Sequence, residues 1–278
     1  MRVDREILRK AQFIMLDELL EVDRICKRNN IKYWIDSGTL LGAIRHKGFI
    51  PWDDDIDICM LDEDYKKFIK IASRELSSNL FLQNSETDKN YNWFPYVKVR
   101  DRNTIFIEGN QNDNEKYHQG INLDIFVMDL YNDRIKKFRK IYNFCIKLEK
   151  LKVYKGKNRY LILKKILLIL KINKFPYLFL RKYLKLFSEK TIIGYRFLFP
   201  QLYEQKDIFP LKEIEFEGYK FSCPNNTDAY LKELYGDTYM ELPPEKDRVW
   251  HAKEIRLNEK CFFEKELERT GRKLYEEQ

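Results

Sequence analysis

Cysteine is scarce in this 278-residue chain and poorly placed for chemistry. The five residues, Cys26, Cys59, Cys145, Cys223 and Cys261, are odd in number and scattered, so neither a zinc knuckle nor a redox pair is expected, and a reducing compartment fits best. Glycine (10) and proline (8) are modest and no repeat or low-complexity tract occurs, which excludes a linker-rich or fibrous protein. Long apolar runs are also missing. The longest approach, Tyr160 to Leu170, is broken by Lys164 and Lys165 and reaches only about half of the ~20 residues that a spanning helix needs. The N-terminal segment MRVDREILRKAQFIMLDELL mixes acids and bases through its apolar positions, so no signal peptide is expected and a cytoplasmic location is.

Apolar residues at 44% and aromatics at 15% suffice for a substantial core. The net charge of +8 hides an asymmetry. Residues 134–190 carry 19 Lys and Arg against two acids, Glu149 and Glu189, leaving 33 bases against 42 acids elsewhere. Three regions are expected: a catalytic core over 1–132, a basic helical region over 133–195, and a C-terminal part over 196–278 that completes the core. The basic helices interleave lysine with Phe, Tyr, Ile and Leu. That pattern suits peripheral contact with an anionic membrane face, or with an anionic or lipid-linked acceptor, as well as plain packing helices with a solvated lysine face. Nucleic acid is not the expected partner, although charge alone would allow it.

Periodicity predicts a mixed α/β core. Ile7, Leu8, Ile14, Met15, Leu19, Val22 and Ile25 recur at helical spacing within a helix over Asp4 to Asn29. A strand over Ile31 to Ile35, a short helix through Leu40, Leu41 and Ile44, and a strand over Asp53 to Met60 follow. Asp62 is suited to cap a helix running to Leu76. Phe94 to Val99 and Thr104 to Glu108 read as a strand pair around Asp101 to Asn103, and Ile121 to Leu130 as a further strand. A hairpin over Ile214 to Phe221 and a helix over Thr227 to Tyr235, ended by Gly236, complete the pattern.

The chemistry concentrates in Asp53-Asp54-Asp55-Ile56-Asp57-Ile58. On a strand, residues two apart share a face, so Asp55 and Asp57, and Asp53 with them, stand together while Ile56 and Ile58 enter the core. Like charges this close call for a cation between them, and oxygen ligands favour Mg²⁺ or Mn²⁺. Upstream, Asp36-Ser37-Gly38-Thr39 forms a strand-to-helix turn whose free N–H groups can hold phosphate oxygens. Asp124, alone in the apolar run Gly120 to Phe126, is costly to bury without a partner and supplies a third carboxylate. Arg45, His46 and Lys47 offer cations to a phosphate, as does Lys98, which alternates with Val97 and Val99. His118 and His251 have no ligand spacing and read as ordinary surface or hydrogen-bonding histidines.

The run from Trp34 to Asp57, WIDSGTLLGAIRHKGFIPWDDDID, closely resembles the signature of the LicD family, which includes the fukutin-related branch. Similarity continues through Pro95 to Asp101 and Asn122 to Phe126, and returns in Phe216-Glu217-Gly218, Tyr230-Leu231 and Tyr235 to Pro244. Met128 stands where a proline or similar residue is expected, away from any proposed ligand. The resemblance implies a polymerase-β-like nucleotidyltransferase fold, α+β with a mixed sheet, a basic helical insertion and C-terminal helices. It also implies that Ser37, Gly38 and Thr39 form the glycine motif, that Asp55 and Asp57 are paired metal ligands, and that Asp124 is the third carboxylate. The activity implied is transfer of an alcohol phosphate, such as phosphocholine, from a CDP-linked donor to a hydroxyl of a surface glycan. Two alternatives stand beside it: a nucleotidyltransferase moving NMP from an NTP, and a non-enzymatic basic binding module.

Overall fold

The computed structural model describes residues 4–91, 97–109, 111–137, 140, 179, 182–183, 191–196 and 200–270. The expected basic helices therefore lie mostly outside the described residues. Packing divides the chain into two compact units. The first comprises residues 1–126, 211–223 and 237–278, and the second 127–210 and 224–236.

In the first unit, α1 spans Arg5–Arg28, and Asp4 caps it by accepting from the N–H groups of Glu6 (2.8 Å) and Ile7 (3.3 Å). Leu8, Ala11, Met15, Leu19, Val22 and Ile25 form its buried face. Each large side chain there contributes about 1.5–3 kcal/mol of burial. One polar residue on that face positions the acidic loop. Gln12 donates from Nε2 to the carbonyls of Asp53 (2.9 Å) and Ile50 (3.4 Å), and so holds that loop against the helix.

The sheet of this unit is built from β1 (Trp34–Ile35), β2 (Asp57–Leu61), β3 (Leu80–Gln83), β4 (Val97–Asp101) and the start of β6 (Asn122–Tyr131), in the order β1-β2-β6-β4-β3. Helix α2 (Ser37–His46) follows β1, and α3 (Asp62–Glu75) follows β2. Asp62 is the first residue of α3 and not its cap, so its charge acts with Glu63 and Asp64 on the helix N-terminus. Two expectations about strands are corrected. β2 begins at Asp57: Asp53 closes the turn at Pro51-Trp52 by donating its N–H to the Ile50 carbonyl (2.8 Å), and Asp53 to Ile56 lie outside the strand. β5 (Thr104–Glu108) does not pair with β4. It pairs antiparallel with β11 (Ala252–Leu257), while β4 pairs with β3 and β6.

The hairpin of β9 (Lys212–Phe216) and β10 (Tyr219–Cys223) turns at Glu217-Gly218, where both residues have positive φ. Glu217 reaches from this turn to the acidic loop: its carboxylate accepts from the Phe49 N–H (3.0 Å) and is clamped by Arg9 at 2.6 and 2.9 Å. Helix α7 (Phe262–Thr270) follows β11.

In the second unit the end of β6 pairs with β7 (Ile192–Tyr195), which pairs with β8 (Leu202–Glu204). Short helices α4 (Arg134–Lys137) and α5 (Gln205–Ile208) and helix α6 (Thr227–Tyr235) accompany them, and Gly236 ends α6 as the sequence suggests. Tyr203 stacks on Tyr230 with ring centroids 4.1 Å apart, and Arg196 pairs with the buried Asp129 at 3.0 Å. The architecture is α+β. No helix of the described residues is long and apolar enough to cross a membrane.

Candidate active site

Two backbone links fix Asp57. Its carbonyl accepts from the Asp36 N–H (2.9 Å), and its own N–H donates to the Thr39 hydroxyl (2.8 Å). Thr39 is thereby a brace for the strand. The next strand over supplies Asp124, whose N–H donates to the Ile56 carbonyl at 2.9 Å. Neighbouring strands therefore bring Asp57 and Asp124 close, with Asp55 just ahead of β2; the three carboxylates are near enough to act on one another's charge, but among the described residues they do not form a tight ligand cluster. The first turn of α2 closes the other side. There Ser37 sits at φ 46°, and a Cβ on Gly38 would lie 2.6 Å from Asp53 Oδ2, so glycine is what lets that carboxylate approach the helix N-terminus.

Crowding shows in the proton affinities. Burial, then the charge of Asp55, holds the Asp53 carboxyl well above the usual carboxylate range, and the two carboxyls hydrogen-bond each other. Asp57 is raised the same way, by burial and then by Asp55 and Asp124. Burial raises Asp55 too, with His251 opposing. Three neighbouring acids that all resist ionisation form a site with room for positive charge.

Asp54 points away from this set. Only 1% exposed, it accepts from the N–H groups of His251 (2.9 Å) and Ala252 (2.6 Å), and its Oδ1 lies 2.9 Å from His251 Nδ1. It pins the start of β11 to the acidic loop. His251, also 3.5 Å from Asp55, is pushed up to about 9, first by the hydrogen bond to Asp54, so it is an imidazolium at neutral pH. Asp54, Asp55 and His251 are the described residues whose ligand atoms lie within 4.8 Å of one another. As placed, however, His251 commits Nδ1 to Asp54.

The expected phosphate-binding residues divide. Lys98, across from Asp124 in the β4–β6 register, lies 2.7 Å from Asp124 Oδ1 and 3.7 Å from Glu108. Burial would lower its ammonium, but Asp124 and Glu108 outweigh that and raise it above the ordinary lysine value. Arg45 donates to the carbonyls of Tyr239 (3.3 Å) and Glu241 (3.1 Å). Lys47, exposed at φ 60°, ends α2 in the left-handed conformation. His46 stands edge-on to Trp52, and burial followed by Arg45 holds it below its ordinary value. Ser37 Oγ faces Asp36 at 3.3 Å. In the sequence His251 reads as an ordinary surface or hydrogen-bonding histidine. It does hydrogen-bond, but 197 residues separate it from Asp54, and no local pattern could have placed it beside the acids.

An α+β sheet with carboxylates from neighbouring strands beside a helix N-terminus is an arrangement suited to the transfer of phosphorylated groups. The profile described as "LicD/FKTN/FKRP, nucleotidyltransferase domain" matches residues 30–126. The lipopolysaccharide cholinephosphotransferase LicD of Haemophilus influenzae is 30% identical over 266 residues, covering 88% of this chain and 95% of that protein. Shorter similarities link the chain to ribitol 5-phosphate transferase FKRP of Homo sapiens, 40% identical over 48 residues (17% of this chain, 10% of that protein). Ribitol-5-phosphate transferase FKTN of Mus musculus is 35% identical over 74 residues (26% and 15%). The chain belongs to the LicD family and is a transferase.

Proposed function

We propose that the chain transfers an alcohol phosphate, phosphocholine first among the candidates, from a CDP-activated donor to a hydroxyl of a cell-surface glycan. The observation that carries this is the gathering of Asp53, Asp55, Asp57 and Asp124 beside the first turn of α2. Phosphocholine comes first because the similarity to the cholinephosphotransferase spans 88% of the chain, against 17% for the ribitol 5-phosphate transferase.

The donor set is all oxygen, and the raised proton affinities of Asp55 and Asp57 mark where a divalent cation would replace protons, so Mg²⁺ or Mn²⁺ fits. Held by Asp55, Asp57 and Asp124, it would supply neutralisation of the phosphate oxygens. The chain's own residues do the rest. Gly38 leaves space for Asp53 against the helix, and the N–H groups of the first turn of α2 face developing negative charge. An acceptor oxygen forms a bond to the distal phosphorus, the bond to CMP breaks, and the hydroxyl proton passes to a carboxylate, for which Asp124 is the candidate. Lys98 and the Asn122 side chain, which donates to Asp124 Oδ1 at 2.8 Å, hold that carboxylate in orientation. The basic stretch 134–190 would gather an anionic or lipid-linked acceptor, or the inner membrane face.

The family description favours one second reading, transfer of NMP from an NTP, which would use the same carboxylates. Product analysis separates the two. Purified protein with Mg²⁺ is incubated with CDP-choline, CDP-ribitol, CDP-glycerol or the four NTPs, with lipopolysaccharide, teichoic acid or capsular glycan as acceptor. Acceptor-dependent release of CMP from one CDP-alcohol is the expected result, and release of pyrophosphate from an NTP would overturn it.

A further inference from the structure

We propose that Arg248, stacked on Trp52 beside the carboxylate cluster, is the cation that receives the diphosphate of a nucleotide ligand. The choice of a nucleoside diphosphate rests on the transferase reading above, in which neither Arg248 nor Trp52 has a role.

The guanidinium carbon of Arg248 stands 3.9 Å from the centroid of the Trp52 ring. Its Nε is buried and has no hydrogen-bond partner among the described residues. Acids are close by in sequence, with Asp53, Asp54 and Asp55 following Trp52 and Asp247 preceding Arg248, yet no ion pair of the described residues includes this arginine. A guanidinium whose carbon sits over an aromatic ring is positioned by it and still has an N–H edge that can donate. That edge matches two phosphate oxygens at once. The backbone places it at the cluster: the Asp54 carboxylate ties down His251 and Ala252, so the segment that carries Arg248 runs past Trp52 to Asp54.

His46 adds a second uncommitted group. Its ring meets the Trp52 ring edge-on (6.5 Å between centroids, 83° between planes), and its Nδ1 is buried without a partner among the described residues. The other cations around the acids already have acceptors: Lys98 has Asp124 and Glu108, His251 has Asp54, and Arg45 has two carbonyls. A diphosphate brought to a cluster of carboxylates needs cationic donors that are not so engaged. Trp52 presents one, Arg248, and beside it the imidazole of His46, whose unpartnered ring nitrogen adds a polar group and not a second charge.

The test is calorimetric titration of the full chain in Mg²⁺ buffer with CDP and with cytidine. Arg248→Ala and Trp52→Leu should each weaken CDP binding about 10- to 100-fold, the value of a charged bidentate contact, and leave cytidine binding unchanged. Arg248→Lys should recover only part of the loss, because an ammonium neither stacks flat nor donates as a fork. Circular dichroism establishes folding, and if Arg248→Ala does not fold, Arg248→Lys decides. Unchanged CDP affinity, equal losses for CDP and cytidine, or a wild-type chain that binds CDP no tighter than cytidine would overturn the proposal. Its failure is separable from that of the transferase reading. CMP release with an Arg248-independent KM defeats only the arginine site, and Arg248-dependent CDP binding without CMP release defeats only the transferase reading.

Discussion

His251 and His118 both stand against a carboxylate, and burial and partners drive them in opposite directions. Around His251 the network is open: the imidazole is half-exposed, its pKa rises to about 9 through Asp54, and Asp55 beside it faces the cluster. Around His118 the network is closed. The ring is fully buried, stacked on Phe81 at 5.0 Å, with Nδ1 accepting from the Gly120 N–H (3.0 Å) and Nε2 3.1 Å from Glu264 Oε1. Burial drives it down to about 4, and Arg102, 2.5 Å from Glu264, supplies the positive charge instead. The same side-chain types thus leave an open, half-exposed network in one place and make a fastening for α7 in the other. What differs is whether the acids have all been neutralised by the protein itself.

The sharpest way to break the comparison is to remove charge from the open side. Asp57→Asn should lower turnover at least about 10³-fold, the scale for losing a group that organises charge in the transition state. Because burial and like-charged neighbours hold Asp57 above its ordinary range, its ionised form costs stability at neutral pH. The variant should therefore melt no lower than the parent in EDTA. A folded Asp57→Asn chain with full turnover would remove Asp57 from the site.

The closed side should respond in the opposite way. Glu264→Ala strands Arg102 and should cost about 3 kcal/mol in urea unfolding, while turnover per folded molecule stays near the parent value. Acid tests the same fastening. Above the ordinary histidine pKa of about 6.5, His118 is neutral in both states and its contribution is fully present. Between there and about 4 the unfolded chain takes up a proton that the folded chain refuses, so stability falls as pH falls, by about 3 kcal/mol in all. The groups facing His118 are Glu264, Arg102, Arg100 and, at its backbone, Asp88. A flat acid limb in the stability profile, or one unchanged in His118→Phe, would show that the ring does not govern it.

Much of the frame was legible in the residues, and the limits have physical causes. The spacing of Leu8, Met15, Leu19 and Val22, with Asp4 ahead, announces α1, and Glu217-Gly218 announces a hairpin, because both signals are local. The candidate carboxylates stand out in the sequence by type and spacing, although a shared strand face is not what pairs Asp55 with Asp57, since Asp55 precedes the strand. Strand partners are a tertiary choice. Thr104 to Glu108 looks like the return arm of β4, yet it is taken by residues 252–257, and nothing near Thr104 carries that information. The same holds for Lys98, whose engagement by Asp124 follows from the β4–β6 register.

Two glycines carry the comparison to its smallest effect. A methyl at Gly120 would lie 1.9 Å from the Asp101 carbonyl oxygen and 2.8 Å from the His118 ring, and since backbone cannot yield, Gly120→Ala should destabilise by about 3 kcal/mol or more. At Gly38 the obstacle is instead the tip of the Asp53 side chain at 2.6 Å, which can swing aside. Gly38→Ala should therefore fold with a Tm close to the parent's but lose about 10- to 100-fold in turnover, as a carboxylate shifted by about an ångström does. A Gly38→Ala chain that melts early and keeps full turnover once folded would reverse the assignment, making the first turn of α2 part of the fold and not of the chemistry.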